Sequence, residues 1–137
     1  MNHQKCGNII NMNSVFGHHV PSMQNAHMYS ATKFAISALT EGVRQELRTI
    51  KSAIRANQIS PGIVDTPFLE VKIIFFLQIS KCFQQYSKNP EYLAQMKEIM
   101  KTALTTNDVA DSVMLCIEAQ PGCQIGDVQL NPLSQVF

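Results

Sequence analysis

A long amphipathic segment between two short apolar runs constrains the fold more than any other feature of this chain. Apolar side chains between Met28 and Ile50 recur at three- and four-residue intervals, which predicts an α-helix. The flanking runs, from Asn8 to Asn13 and from Ile54 to Ile59, contain β-branched residues and are typical of strands. Strands that alternate with helices indicate a parallel sheet, so we predict an α/β protein.

The rest of the chain continues this alternation. Pro90 suits the first turn of a helix from Asn89 to Met100. A further helix is predicted from Thr106 to Ala119, just before a Pro-Gly break, and a last short strand from Asp127 to Leu130. At 137 residues the chain fits one domain.

Composition disfavours several classes of function. The formal charge of +1 and the absence of a basic run argue against nucleic-acid binding. The most apolar window, from Val71 to Ile79, is far shorter than the ~20 residues that span a bilayer, and the polar start lacks a secretory signal. We therefore expect a cytoplasmic protein whose four cysteines, which form no Cys-x-x-Cys pair, are free thiols. The four histidines lack partners at metal-ligand spacing, so no metal site is predicted.

Tyr29, Lys33 and Ser14 are the residues in which we expect the chemistry. Tyr29 and Lys33 lie four residues apart, one turn along the same helix face. A nearby ammonium is one way to lower the pKa of a phenol, which is otherwise about 10. Ser14 closes the first strand, so its hydroxyl is expected at the carboxyl edge of the sheet, where open α/β folds bind ligands. The three side chains should converge on one small polar group.

Three motifs, in this order and at these distances, resemble the C-terminal half of a short-chain dehydrogenase/reductase. They are Gly7-x-Ile-Ile-Asn-x-x-Ser14, Tyr29-x-x-x-Lys33 and Pro61-Gly62-x-Val64-x-Thr66. The run from Tyr29 to Arg48 is similar to the NADP-dependent branch that includes farnesol dehydrogenase-like enzymes. The resemblance covers residues 7–70 most closely and extends over residues 105–137.

The resemblance implies a partial Rossmann-like fold, a doubly wound parallel sheet of which this chain supplies the C-terminal strands and helices. It also implies hydride transfer between NADP(H) and an alcohol or carbonyl. In that reaction Tyr29 would exchange a proton with the substrate oxygen, and Ser14 would hydrogen-bond the same oxygen. Lys33 would hold the nicotinamide ribose and, with the positive cofactor, lower the pKa of Tyr29. The implied cofactor-binding residues are Tyr29, Lys33, Pro61, Gly62, Ile63, Val64, Asp65 and Thr66.

A small lipophilic alcohol or carbonyl compound is the implied substrate. The apolar residues Phe16, Met23, Phe68 and Leu69, expected around the pocket, favour an isoprenoid or a steroid. Family members also pair through the helix that carries the tyrosine and the lysine. The resemblance therefore implies a homo-oligomer contact along the helix from Met28 to Ile50.

The glycines predict that this chain is incomplete as an enzyme. A dinucleotide-binding fold has a Gly-rich turn after its first strand, where helix N–H groups meet the pyrophosphate. The six glycines lie too far apart to form one. We therefore expect residues 1–137 to be an incomplete domain without the N-terminal dinucleotide-binding half, marginally stable because the strand from Asn8 to Asn13 has an open edge. The alternative to an enzyme is a truncated, non-catalytic fragment that at most associates with an intact homologue.

Two further features admit other interpretations. The apolar run from Val71 to Phe83 stands where family members usually have a polar segment, and it is either a substrate lid or an insertion foreign to the fold. A hydrolase triad of Ser14, His18 or His19, and Asp65 is disfavoured because the Gly-x-Ser-x-Gly elbow is absent.

Overall fold

The computed structural model describes residues 6–22, 26–66 and 100–135, together with the isolated positions Pro90, Ala94 and Glu98. Within this part of the chain, three strands form one parallel sheet in the order β1-β2-β3. This arrangement confirms the predicted α/β class. The strands are β1 (Gly7–Met12), β2 (Ile54–Pro61) and β3 (Asp127–Leu130).

Helices connect the strands. Helix α1 (His27–Thr49) crosses from β1 to β2, α2 (Thr106–Glu118) precedes β3, and a 3-10 helix (Val15–Gly17) follows β1 directly. Helix α2 begins with a capping box, in which Thr105 and Asp108 satisfy each other's backbone N–H groups. The bounds of the three strands, of α1 and of α2 lie within two residues of the predicted ones, whereas the 3-10 helix was not predicted. Among the described residues, no helix combines the length and the apolar character needed to cross a bilayer.

The register of the sheet brings the carboxyl ends of β1 and β2 together. Gly7 faces Ile54 and Met12 faces Ile59, while Pro61 faces Leu130 on the other side of β2. The segments that follow β1 and β2 therefore meet at one edge of the sheet. This is the edge at which parallel α/β sheets bind ligands.

Some predictions fall outside the described residues. Of the cysteines, Cys6, Cys116 and Cys123 are described, and all three are free. The predictions that cannot be compared concern the run from Val71 to Phe83, most of the helix from Asn89 to Met100, and the pocket residues Met23, Phe68 and Leu69.

The face of α1 that lies on the sheet is polar. Ser30 and Thr40 are buried, whereas Phe34 and Leu39, which belong to the apolar pattern that predicted the helix, are 41% and 64% exposed. The apolar periodicity therefore identified the helix but not the face that packs. The residues of the packing face recur at alternating three- and four-residue intervals, as one helix face requires: Ser30, Lys33, Ser37, Thr40 and Arg44.

Asparagine side chains at the end of β1 supply partners for this polar face. Asn11 Nδ2 donates to Thr40 Oγ1 at 2.8 Å, and Asn13 Nδ2 donates to Ser37 Oγ at 2.9 Å. Hydrogen bonds depend on direction as well as distance. These bonds therefore fix the rotation of α1 about its axis, and with it the direction in which the side chains of α1 point.

Arg44 ties the same helix face to the backbone of the sheet. Its Nε donates to the Ala56 carbonyl at 2.7 Å, and its Nη2 donates to the Gly126 carbonyl at 2.5 Å. Its Nη1 pairs with Glu41 at 3.0 Å. One guanidinium thus joins α1, β2 and the turn that leads into β3.

Replacing Arg44 with Ala should lower the free energy of unfolding by about 2 kcal/mol, because two carbonyls each lose a charged donor. Each carbonyl keeps only a neutral one, the Gln124 amide at Ala56 and the Gln58 N–H at Gly126. Replacing Arg48 with Ala should change it by less than about 0.5 kcal/mol, since Arg48 is mostly exposed although it also pairs with Glu41. Urea unfolding followed by circular dichroism measures both values. Equal effects of the two substitutions would contradict this role of Arg44.

Candidate active site

A cleft of about 550 Å³ opens at the carboxyl edge of the sheet. It lies between the end of β1, the first turns of α1 and the segment that follows β2. All three predicted catalytic residues line this cleft, as do all the predicted cofactor-binding residues except Asp65. The predicted residues that line it are Ser14, Tyr29, Lys33, Pro61, Gly62, Ile63, Val64 and Thr66.

Ser14 is held at the N-cap of the 3-10 helix. Its backbone is extended, and its hydroxyl oxygen accepts a hydrogen bond from the Phe16 N–H at 3.2 Å. The residue is buried, so the protein rather than solvent orients the hydroxyl. The Ser14 side chain is also hydrogen-bonded to Tyr29.

Burial and this hydrogen bond act in opposite directions on Tyr29. Burial raises the pKa of the phenol above its ordinary value, and the bond with Ser14 lowers it by a smaller amount. The net pKa is raised, so Lys33 by itself does not produce the lowering expected from the sequence. The Lys33 ammonium lies over the tyrosine ring, 5.6 Å from its centroid. Phe16 packs edge-on against the same ring, with the two centroids 6.2 Å apart.

Lys33 is held by backbone carbonyls at the end of β1. Its Nζ donates to the carbonyl of Met12 at 3.1 Å and to that of Asn13 at 3.3 Å. Partial burial lowers the pKa of the ammonium, because the charged form loses contact with water. An ammonium has three hydrogens, so within the described part of the chain these two bonds leave one for a ligand.

Gly17 of the 3-10 helix lies close to Asn13 and to the backbone of α1. Asn13 Nδ2 donates to Ser37 and, at 3.3 Å, to Gln58 Oε1, while its buried Oδ1 has no partner among the described residues. A Cβ atom on Gly17 would lie 2.7 Å from Asn13 Nδ2 and 2.8 Å from the Lys33 carbonyl oxygen. Position 17 therefore requires glycine, which lets the 3-10 helix lie directly against α1.

The segment after β2 forms the opposite wall of the cleft through a short parallel pairing. The Leu104 N–H donates to the Ile63 carbonyl at 2.9 Å, and the Asp65 N–H donates to the Leu104 carbonyl at 2.8 Å. The Ile63 N–H donates to Gln135 Oε1 at 3.1 Å. Asp65 supports this wall through its backbone, although it does not line the cleft.

The C-terminal part of the chain also contributes to the cleft, which no sequence pattern predicts. Thr106, Val109 and Ala110 line it from the first turns of α2, and Gln135 lines it from the segment after β3. No spacing in the sequence relates these residues to Tyr29, because tertiary packing brings them together. The capping pattern locates the start of α2 but not the surface on which α2 packs.

The structure separates the residues of the hydrolase alternative. His18 Nε2 lies 3.0 Å from Ser60 Oγ and 3.1 Å from Asp127 Oδ2, so it is paired with residues other than Ser14 and Asp65. Neither His18 nor His19 lines the cleft. Ser60 is fully buried, so its hydroxyl cannot act as a nucleophile on a substrate in solution.

Comparison with known proteins agrees with this geometry. The family model described as short chain dehydrogenase matches residues 1–73, more than half of the chain. The chain belongs to the short-chain dehydrogenase/reductase family.

Similar proteins extend the match to almost the whole chain. Dehydrogenase/reductase SDR family member 11 of Bos taurus is 46% identical over 130 residues, which cover 95% of this chain and 46% of the relative. Farnesol dehydrogenase of Aedes aegypti is 29% identical over 131 residues, which cover 96% of this chain and 44% of the relative. The chain thus spans about half the length of the curated relatives it matches.

A solved structure supports the Rossmann-like fold. The closed form of serine dehydrogenase complexed with NADP+ superposes with a TM-score of 0.69 at 24% identity. The superposition covers 95% of this chain and 46% of that one. The predicted partial, doubly wound sheet is therefore confirmed as the fold.

Replacing Gly17 with Ala should destabilise the chain by roughly 1–3 kcal/mol, because the added Cβ overlaps Asn13 and the Lys33 carbonyl. Gly42 offers a matched control, since a Cβ there meets nothing within 4 Å among the described residues. Gly42→Ala should instead stabilise the helix by about 1 kcal/mol. Thermal unfolding measures both changes, and a neutral Gly17→Ala would refute the tight contact.

Alkaline titration tests the environment of Tyr29. Because its pKa is raised, the folded state keeps a proton that the unfolded chain loses, so stability should fall as the pH rises through about 10. Tyr29→Phe should remove the contribution of Tyr29 to this loss of stability. Ser14→Ala should move the Tyr29 titration to still higher pH, because the bond that lowers its pKa is gone.

Phenolate absorbance follows this titration. Subtracting the Tyr29→Phe curve removes the signals of Tyr86 and Tyr92, the other tyrosines of the chain. If Ser14→Ala does not shift the titration of Tyr29 in this difference curve, no hydrogen bond joins Ser14 to Tyr29.

Proposed function

We propose that this chain carries the catalytic half of an oxidoreductase that interconverts an alcohol and a carbonyl group with NADP(H). The observation that carries the proposal is that Ser14, Tyr29 and Lys33 line one cleft, in which the Ser14 side chain interacts with the Tyr29 phenol. A hydroxyl donor, a phenol and an ammonium are groups that can stabilise and protonate a carbonyl oxygen. Membership of the family supports the same class of reaction.

The cleft residues suit the nicotinamide end of the cofactor. The remaining hydrogen of Lys33 would bond a ribose hydroxyl. Because Gln135 already accepts the Ile63 N–H, we assign the carboxamide to the backbone of Val64 and the hydroxyl of Thr66. ElxO, solved with NADP bound and 26% identical to this chain, supports the choice of NADP(H).

In our proposal Tyr29 supplies the proton. Its raised pKa keeps the phenol protonated at neutral pH, and this is the form that can donate to a carbonyl oxygen. Ser14 would donate to the same oxygen and stabilise the negative charge that develops there. The hydride is the chemistry that the cofactor supplies when bound. In the direction of oxidation the phenol must first lose its proton, so positive charge near the cleft, including that of Lys33, has to offset the effect of burial.

We propose a small lipophilic substrate. Phe16 packs against the Tyr29 ring, and Val109 and Ala110 add apolar surface to the same cleft. Apolar walls beside one polar corner favour a molecule with a single hydroxyl or carbonyl on a hydrocarbon body. The relative from Aedes aegypti bears the name farnesol dehydrogenase, which supports isoprenoid alcohols and aldehydes as the class to test first.

We further propose that residues outside this sequence complete the dinucleotide site, so that residues 1–137 form an incomplete domain. The described cleft residues suit the nicotinamide end, and the six glycines of the sequence form no Gly-rich turn for the pyrophosphate. Among the described strands, β1 pairs with β2 alone. Its other edge is where a further parallel strand would add.

The second candidate is a non-catalytic role in association with another copy or with an intact relative. Met28, Leu39 and Ile50 recur every eleven residues, about three helical turns, and so lie on one stripe of α1 and its C-cap. They are 74%, 64% and 72% exposed. An exposed apolar stripe suits packing against a second helix, so we propose it as the contact surface.

Reconstitution from two halves tests the proposed reaction. The chain is co-expressed with the part of its bovine relative that lies outside the matched region, and NADPH consumption is followed with isoprenoid aldehydes. We expect consumption with both halves present, because one supplies the pyrophosphate site and the other supplies Ser14, Tyr29 and Lys33. Tyr29→Phe should lower the rate by about 100-fold or more.

Two outcomes would overturn the catalytic role. The first is NADPH consumption that survives Tyr29→Phe. The second is that neither the chain alone nor the reconstituted pair consumes NADPH. In the second case the non-catalytic role predicts that the chain co-purifies with the intact bovine relative. Leu39→Glu should then abolish the association. Phe34→Glu, exposed on another side of α1, should leave it intact.

A further inference from the structure

A polar cluster beside the cleft has no part in the chemistry proposed above. His18, Ser60 and Asp127 come from the loop after the 3-10 helix, the end of β2 and the first residue of β3. His18 Nε2 lies 3.0 Å from Ser60 Oγ and 3.1 Å from Asp127 Oδ2, and Ser60 Oγ lies 2.8 Å from Asp127 Oδ1. None of the three side chains lines the cleft.

The hydrogen positions in this cluster follow from its donors and acceptors. Ser60 donates its one hydroxyl hydrogen to the Asp127 carboxylate. The Ser60 oxygen can then only accept, so His18 Nε2 must carry a hydrogen and donate it to both Ser60 and Asp127. The geometry thus assigns the Nε2–H tautomer of His18.

The cluster is well shielded from water. Ser60 is fully buried, and the side chains of His18 and Asp127 are 21% and 24% exposed. Hydrogen bonds to a carboxylate are stronger than neutral ones, and shielding from water strengthens them further. The cluster can therefore act as a firm link between the segments that carry it.

These segments form the two walls of the cleft. The Gly17 N–H donates to the Ser14 carbonyl at 2.8 Å, and the His18 N–H donates to the Val15 carbonyl at 2.9 Å. The backbone of the 3-10 helix thus joins His18 to Ser14 on one wall. On the other wall, Ser60 directly precedes Pro61, which lines the cleft.

We propose that His18 is a positioning residue, which holds the Ser14 hydroxyl against Tyr29 by fastening the 3-10 helix to β2 and β3. The consequence for catalysis rests on the proposed function, whereas the effect on the contact between Ser14 and Tyr29 does not. A misplacement of about 1 Å in an active site can lower a rate by about 100-fold. His18 would therefore influence the reaction without touching substrate or cofactor.

Three substitutions in the full chain test this role. His18→Ala removes the donor, His18→Gln retains an amide donor near the Nε2 position, and Val20→Ala is a control at an exposed position of the same loop. The readout is the phenolate titration of Tyr29. His18→Ala should shift it to higher pH, as Ser14→Ala does, while His18→Gln should largely restore it and Val20→Ala should leave it unchanged.

Two further measurements separate positioning from stability. In the full chain labelled with ¹⁵N-histidine, the chemical shifts of His18 should report a hydrogen on Nε2 when the ring is neutral. In the reconstituted enzyme, His18→Ala should lower kcat by about tenfold to 100-fold and change the KM for NADPH little.

An Nδ1–H tautomer, or a folded His18→Ala variant with a wild-type Tyr29 titration, would overturn the proposal. If His18→Ala does not fold, Ser60→Ala decides, because it should give a smaller shift of the Tyr29 titration in the same direction. A wild-type titration in a folded Ser60→Ala variant would also overturn the proposal. The Tyr29 titration can shift in these variants even if the reconstituted wild-type enzyme consumes no NADPH. That result would leave the positioning role intact and refute the proposed function.

Discussion

Hydrogen bonds hold α1 against the sheet, and the remaining geometry depends on this contact. Bonds from Asn11 to Thr40 and from Asn13 to Ser37, together with those of Arg44, fix both the position and the rotation of the helix. Hydrogen bonds depend on direction, and buried polar groups are costly without their partners, so the helix cannot turn or slide without losing these bonds. This contact therefore directs Tyr29 and Lys33 towards the cleft.

The same polar contact explains how this chain orients the groups to which we assign catalysis. Lys33 belongs to the packing face of α1 and is held by carbonyls at the end of β1. Ser14 caps the 3-10 helix that lies against α1 at Gly17. The groups to which we assign proton transfer are thus extensions of the interface that holds the fold together, and a change in that interface would change their alignment.

Directional bonds at the packing face leave apolar side chains on other surfaces. Met28 and Leu39 of α1, and Met114, Leu115 and Ile117 of α2, are exposed. Under the proposal that a dinucleotide-binding half lies outside this sequence, such surfaces and the free edge of β1 are where further elements or a second chain would pack. Polar bonds therefore position the residues of the cleft, and apolar side chains are exposed on other helix surfaces of the same described fold.

The sequence by itself determined the order and bounds of the described elements and the grouping of Ser14, Tyr29 and Lys33, because helix periodicity, strand propensity and four-residue spacing are local properties. Only the tertiary structure decided which face of α1 packs, since the polar face carries no apolar signal. It also brought Val109 and Gln135 to the cleft and raised the pKa of Tyr29 where a neighbouring lysine suggested the opposite. Burial and contacts between distant segments depend on how the whole chain packs, and no local pattern encodes them.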